Sequence, residues 1–118
     1  MRVLVAYEEA YRSYRQAIVR VISDNRPHFE VLGADPRGLA AELEWFGPHA
    51  VVSGRPSAEH AGGRRGAWVE LPADPDAAGE ICVGGEHEAK ANPALSEVLG
   101  ALDEAEERLR KGALGEAC

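Results

Sequence analysis

The sequence has 118 residues, enough for one domain with a single sheet-and-helix core and too few for two independent cores. Hydrophobic residues make up 45% of the chain and charged residues 28%, ordinary globular values that argue against general disorder. A formal net charge of -7 argues against a nucleic-acid-binding surface, because such surfaces depend on clustered lysines and arginines.

The first half of the chain alternates short apolar runs with amphipathic stretches. Residues 3–6 are typical of a strand covered on both faces, and a strand is also predicted at 28–32 and at 50–52. Between them, apolar residues recur at helical spacing, first at Tyr11, Tyr14, Ile18, Val21 and Ile22, and then after the Asp35-Pro36 helix start. Strands that alternate with helices through short connections imply a parallel sheet with right-handed crossovers.

The second half has a different rhythm. The segment 54–66 is rich in glycine and polar residues, which predicts a loop, and two apolar runs follow at 67–71 and 80–83. The connection between these runs is too short for a helical crossover, so we expect them to pair antiparallel, with Gly84-Gly85 turning into a further short strand. Asn92-Pro93 then precedes the clearest helical stripe, which runs from Leu95 to Leu109.

These patterns predict a single α/β domain over residues 1–112, with parallel strands 1 to 3, a C-terminal antiparallel hairpin and a long final helix, followed by a flexible tail at 113–118. Cys82 falls in a strand pattern and Cys118 is the last residue of the sequence, so we expect a reduced pair without a redox or metal role. No apolar run approaches the roughly 20 residues of a membrane span, and the N-terminus lacks a secretory pattern. We therefore expect a cytoplasmic protein with no membrane contact.

The candidate functional residues follow the first and third strands. Ligands of open α/β sheets bind outside the carboxyl ends of the strands, so Glu8 and Glu9 could hold a cation there, although solvated acids near a helix start are the simpler interpretation. After the third strand come Ser53, Arg55, Arg64 and Arg65, where a small anionic ligand could dock. The histidines have no metal-ligand spacing and no serine or cysteine has a nucleophile motif. We predict no catalytic residue, no metal and no cofactor.

The first half of the chain resembles the receiver domain of bacterial response regulators, which has a flavodoxin-like three-layer sandwich fold. The resemblance is carried by RVLVAYEE, by the helix YRQAIVRVI and by EVLGADPRGLAAELEWFGPHAVVSG. It implies a signalling role in which a carboxylate at the end of strand three accepts a phosphoryl group.

At the positions where this resemblance implies functional residues, the chain lacks most of the side chains that phosphorylation needs. They are Tyr7 and Glu8 for the acidic pair, Gly54 or Ser53 for the phosphoacceptor, Leu71 or Pro72 for a hydroxyl, and Gly84 for a lysine. Aspartyl phosphorylation needs a carboxylate nucleophile, a cation held by further carboxylates and cationic assistance. Only Glu8 among these positions meets such a need.

Two main hypotheses of function follow. The first is a non-enzymatic, receiver-like regulatory or interaction module that aspartyl phosphorylation does not switch, with a protein partner or a homodimer formed through the hairpin edge or final helix. It predicts an exposed apolar patch that includes Trp45 or Trp68. The alternative is a small-anion or nucleotide-binding protein, which predicts a pocket lined by convergent polar groups. A small hydrolase whose residues converge only in space is a third, weaker hypothesis.

Overall fold

The computed structural model of the chain describes residues 1–55, 66–74, 76–112 and 118. In this part of the chain the strands are β1 (Arg2–Ala6), β2 (Glu30–Ala34), β3 (Ala50–Ser53), β4 (Ala67–Glu70), β5 (Ala78–Val83) and β6 (Glu86–Ala91). The α-helices are α1 (Arg12–Asn25), α2 (Leu39–Phe46) and α3 (Leu95–Arg110), and short 3-10 turns at Glu9–Tyr11 and Pro36–Gly38 lead into the first two.

The strands form one mixed sheet in the order β2-β1-β3-β4-β5-β6. The predicted parallel arrangement of the first three strands is confirmed, with β1 pairing with β2 on one side and β3 on the other. The predicted antiparallel pairing of β4 with β5 is also confirmed. The further short strand predicted after Gly84-Gly85 is also confirmed, as β6 antiparallel to β5. One feature goes beyond the prediction: β4 joins the parallel part of the sheet beside β3. The α/β class is confirmed, while the six-strand order differs from the predicted flavodoxin-like arrangement.

The two faces of the sheet carry separate cores because successive strand residues point to opposite sides. Along β1, Val3 and Val5 enter the core covered by α1 and α3, whereas Leu4 and Ala6 enter the core covered by α2. The central strands are buried on both faces. A ligand therefore reaches them at their ends, where the connecting segments lie.

The first helix and second strand begin later than the sequence pattern predicts. Tyr11 was expected in the buried stripe, but it closes a 3-10 turn and its side chain is 48% exposed. The predicted strand start at His28 is also wrong, because β2 begins at Glu30. His28 instead packs edge-on against Phe29 and contacts Glu106 of α3.

The start of the final helix shows a similar shift. Asn92 has a left-handed φ of 49°, and α3 begins at Leu95 after Ala94. The Ala94 amide donates to Glu97 Oε1 at 3.1 Å, which satisfies one of the free N–H groups at the helix start. Leu95 consequently lies on the surface, although the prediction placed it in the stripe. The long helix itself is confirmed.

The predicted turn at Gly84-Gly85 joins β5 to β6. Both glycines have positive φ, 58° and 83°, as a two-residue turn between antiparallel strands requires. The turn sets the register in which Cys82 lies opposite His87 and Val83 opposite Glu86.

Cys82 and Cys118 form a disulfide with their Cα atoms 6.0 Å apart, so the expectation of a reduced pair is wrong. Cys82 points into the core beside α2, and Cys118 lies buried in that same core. The sequence separation of 36 residues gave no local signal for this contact. Residues 113–117 of the predicted flexible tail lie outside the described residues. Within the described ranges, no helix is long and apolar enough to cross a membrane.

Candidate functional site

The segments after all four parallel strands meet at one cleft of about 200 Å³. Its lining comprises Ala6, Tyr7, Glu8 and Tyr11 after β1, Pro36 after β2, Gly54 and Arg55 after β3, and Pro72, Ala73 and Asp74 after β4. A more open cleft of about 550 Å³ adjoins it and shares Glu8, Pro36 and Arg55. We call the smaller space the edge cleft.

The edge cleft lies at the topological switch point of the sheet. The chain leaves β1 across the α1 face toward β2 and returns across the α2 face to β3 on the other side of β1. The connections after β1 and β3 therefore diverge and leave a crevice between their strand ends, which is where open α/β sheets bind ligands. Glu8 follows β1 and Arg55 follows β3, so these two residues stand on opposite sides of the crevice.

Tyr7 forms the floor of the edge cleft. Its hydroxyl donates to the Leu71 carbonyl at 2.6 Å, and its ring packs edge-on against Tyr14 with centroids 5.1 Å apart. Burial, with a smaller contribution from Tyr14, raises the pKa of the Tyr7 hydroxyl well above its ordinary value. Tyr7 is therefore a neutral structural group at neutral pH. It stands where the receiver resemblance implies a metal-binding acid.

Hydrogen bonds between the Arg55 backbone and two side chains hold the segment after β3 in place. The Arg55 amide donates to Ser53 Oγ at 3.2 Å, and Trp68 Nε1 donates to the Arg55 carbonyl at 2.8 Å. Ser53 is buried, so its hydroxyl serves this turn. At Gly54, a Cβ would lie 3.2 Å from the Tyr7 ring, which shows how closely the backbone passes the cleft floor.

An ion pair between Glu8 and Arg55 spans the crevice. Arg55 Nε donates to Glu8 Oε1 at 3.0 Å, and Arg55 Nη2 contacts the same oxygen. The Glu8 side chain is 42% exposed and the Arg55 side chain 48%, so the pair is accessible to a ligand from solvent. The charge of Arg55 is thus balanced by a carboxylate within the cleft.

Glu9 and Asp35 are engaged with other arginines. Glu9 contacts Arg12 at 3.2 Å and Arg15 at 3.5 Å, outside the edge cleft. Asp35 accepts hydrogen bonds from the Arg37 side chain and from the Arg37 amide, and these bonds lower the pKa of its carboxyl. Glu8 and Glu9 therefore point to different partners. The described residues contain no group of three histidine, cysteine or acidic side chains that could hold a metal ion.

Several lining residues of the edge cleft were not among the predicted site residues. Pro72 and Asp74 follow β4, and they come to the cleft because β4 pairs parallel to β3. The Asp74 carboxylate accepts the Asp76 amide at 2.9 Å and is otherwise exposed. The sequence pattern predicted a strand that ends just before these residues. Placing them at the cleft also required the knowledge that β4 runs parallel to β3. The predicted Arg64 and Arg65 lie outside the described residues.

The described lining of the edge cleft offers recognition groups and no nucleophile paired with a base. It combines one carboxylate–guanidinium pair, the accessible Asp74 carboxylate and the flat faces of Tyr11, Pro36 and Pro72. Comparison of the chain with protein-family models, with curated proteins and with solved structures finds no match. The functional assignment consequently depends on the chemistry of this cleft.

Proposed function

We propose that the chain is a non-enzymatic regulatory module that binds a small dipolar molecule in the edge cleft. The observation that carries this proposal is the accessible Glu8–Arg55 pair across the switch point of the sheet. A volume of about 200 Å³ is below the roughly 300–1,000 Å³ of sites for drug-sized ligands. We therefore propose a ligand of the size of an amino acid for the edge cleft itself; the adjoining cleft of about 550 Å³, which shares Glu8, Pro36 and Arg55, sets no such limit.

The charge arrangement favours a dipolar ligand over a simple anion. An anion that binds Arg55 would also face the Glu8 carboxylate, or would have to displace it and leave it uncompensated, and both are unfavourable. A molecule with an ammonium and a carboxylate group can replace the pair by two ligand contacts, with Glu8 on the ammonium and Arg55 on the carboxylate. Asp74 adds a second carboxylate to the lining of the cleft.

The proposal takes one feature from the resemblance to receiver domains, the position of the switch site at the strand ends. In a receiver-like module that lacks the phosphoacceptor carboxylate, ligand binding at the strand ends would take the place of phosphorylation as the switch. A cytoplasmic, bacterial signalling role is part of the same proposal. The hydrogen bonds of Tyr7 and Ser53 support the absence of a phosphorylation switch, because both side chains are engaged within the fold.

A thermal-shift panel tests the proposal. It contains free amino acids, primary amines, inorganic phosphate, acetyl phosphate, nucleotides and magnesium ions. A ligand at about 100 times its Kd stabilises the native state by about 2.7 kcal/mol, which for a domain of this size raises the thermal midpoint by roughly 10 °C. We expect amino acids to give such a rise.

Variants of the ion pair locate the binding site. Glu8→Gln and Arg55→Gln should each abolish the rise, whereas the matched control Glu9→Gln should keep it, because Glu9 contacts Arg12 and Arg15 instead. A rise with phosphate or nucleotides alone would support the small-anion alternative. No rise with any amino acid would contradict the dipolar-ligand proposal.

A second candidate function is protein contact through α2, supported by the exposure of Trp45. Its side chain is 66% exposed and packs edge-on against Phe46. Exposed aromatic side chains often anchor protein interfaces. We propose a homodimer as the first partner to test, with Trp45→Ser reducing the dimer mass in light scattering. Leu95→Ser on α3 tests the final-helix surface separately, and loss of the dimer in that variant alone would exclude α2 as the interface. A wild-type chain that is monomeric at about 100 µM would contradict this, because a dimer with a Kd of about 1 µM would be largely formed at that concentration.

A further inference from the structure

A line of three side chains leads to the disulfide on the β5-β6 hairpin. Glu80 and Cys82 lie on the same face of β5, and His87 lies directly opposite Cys82 on β6. His87 Nε2 is 3.6 Å from Cys82 Sγ, and His87 Nδ1 contacts Glu80 Oε1. The order is therefore carboxylate, imidazole, sulfur.

The exposure of these groups suits proton transfer between solvent and sulfur. Cys82 is 1% exposed and Cys118 is 6% exposed, so the sulfur atoms are sheltered. His87 and Glu80 are each about half exposed, so the imidazole can exchange protons with water while one nitrogen faces the sulfur. The arrangement shares no residue with the lining of the edge cleft.

We propose that Cys82–Cys118 is a redox-active disulfide, with His87 as the acid–base group for thiol–disulfide exchange and Glu80 as its positioning residue. Exchange is faster when the leaving sulfur is stabilised as a thiolate. An imidazole N–H beside the leaving sulfur stabilises it by hydrogen bonding and proton donation, and a carboxylate on the other ring nitrogen fixes the orientation of the ring. The co-reactant is a small dithiol.

The exchange step balances as follows. A thiolate of the dithiol attacks Cys118 Sγ, the Cys82–Cys118 bond breaks, and its electron pair goes to Cys82 Sγ. His87 Nε2–H donates its proton to that sulfur or holds it as a thiolate–imidazolium pair. The second thiol of the dithiol then loses its proton, and its sulfur attacks the dithiol sulfur that is bonded to Cys118. The bond to Cys118 Sγ breaks, and Cys118 leaves as a thiolate that takes up this proton. The dithiol is oxidised to a cyclic disulfide, and the protein gains two electrons and two protons.

The test measures how fast dithiothreitol reduces the oxidised protein, by quenching samples with an alkylating reagent and counting modified cysteines by mass. We expect His87→Gln to slow reduction at least about tenfold, since general acid–base groups commonly contribute more than that. Glu80→Gln should slow it to a smaller extent. The matched control is His28→Gln, which removes another histidine that contacts a glutamate, Glu106, without contacting a cysteine in the described structure.

Two results would overturn the proposal. One is a His87→Gln protein that is reduced at the wild-type rate, and the other is a protein purified without reductant in which both cysteines are already free. Far-UV circular dichroism checks that the oxidised variants are folded. If His87→Gln does not fold, Glu80→Gln decides, because it keeps the His87 imidazole and changes only the group that positions it: slower reduction supports the proposal and an unchanged rate overturns it.

Discussion

Replacing Tyr7 by phenylalanine tests how the floor of the edge cleft is held. The hydroxyl donates to the Leu71 carbonyl at 2.6 Å, and the Tyr7 side chain is buried. Removal leaves that carbonyl without this donor while the ring keeps its packing. Loss of one partner of a buried hydrogen bond costs about 1–3 kcal/mol, so we expect a loss of about 2 kcal/mol in the free energy of unfolding.

The expected change is large enough to measure by thermal unfolding. An unfolding entropy of about 2.1 cal/mol/K per residue converts 2 kcal/mol into a fall of about 8 °C in the thermal midpoint of this chain. Urea titration followed by circular dichroism should give the same free-energy change with an unchanged m-value. Tyr14→Phe is the matched control, because the Tyr14 ring packs on Tyr7 and no described group hydrogen-bonds its hydroxyl.

The same substitution changes the response to alkaline pH. Burial raises the pKa of the Tyr7 hydroxyl above that of an unfolded tyrosine, so the neutral hydroxyl contributes stability at pH values below about 10. That contribution is lost as the pH rises above 10, and Tyr7→Phe should make the loss less steep. A Tyr7→Phe protein within about 0.5 kcal/mol of the wild type, with an unchanged alkaline slope, would refute the reasoning.

Three further substitutions test packing and acid sensitivity. Gly79→Ala should lower the free energy of unfolding by about 1–3 kcal/mol in urea titration, because the added Cβ would overlap the Glu70 carbonyl. Gly100→Ala, in an open helical position, should raise it by about 0.5–1 kcal/mol. Equal effects of the two substitutions would contradict this. Burial, and then Arg2, lower the pKa of His49, whose Nδ1 accepts the Arg2 amide at 3.0 Å. Stability should therefore fall as the pH drops below the ordinary histidine range toward this lowered pKa, and His49→Gln should reduce the slope between pH 7 and 5. An unchanged slope would be evidence against a native-state role of the neutral imidazole.

Local patterns were sufficient to predict most of the elements and two of the strand ends that border the edge cleft. The Asp35-Pro36 start of the second helical segment is observed, with Asp35 accepting the Arg37 amide. Glu8 and Arg55 were predicted at the ends of strands one and three, and the parallel sheet brings them into contact. Residues next to strand ends converge whenever neighbouring strands run in the same direction, so this part of the site follows from direction alone.

The remaining contacts depend on pairings between distant residues. The direction of β4 brings Pro72 and Asp74 to the cleft, but the segment before β4 has no apolar stripe from which a crossover could be inferred. The approach of His87 to Cys82 depends on the register set by the two-residue turn, and the bond to Cys118 spans 36 residues. Periodicity records burial along one element and carries no information on such pairings.

The helix starts show a more local limit. Tyr11 and Leu95 both fit a helical stripe, yet each lies in the first turn or just before it and is about half exposed. An apolar residue at such a position need not be buried, and boundaries are the least reliable part of a pattern-based prediction.

The most direct test of the proposed function is calorimetric titration of wild-type protein, Glu8→Gln and Arg55→Gln with the amino acid that raises the thermal midpoint most. The Glu8–Arg55 pair spans the cleft, so we expect measurable binding to the wild type, loss of at least tenfold in affinity for each variant, and unchanged binding to Glu9→Gln. Wild-type affinity in both Glu8→Gln and Arg55→Gln, or no heat of binding from any amino acid, would contradict the assignment of this cleft as a dipolar-ligand site.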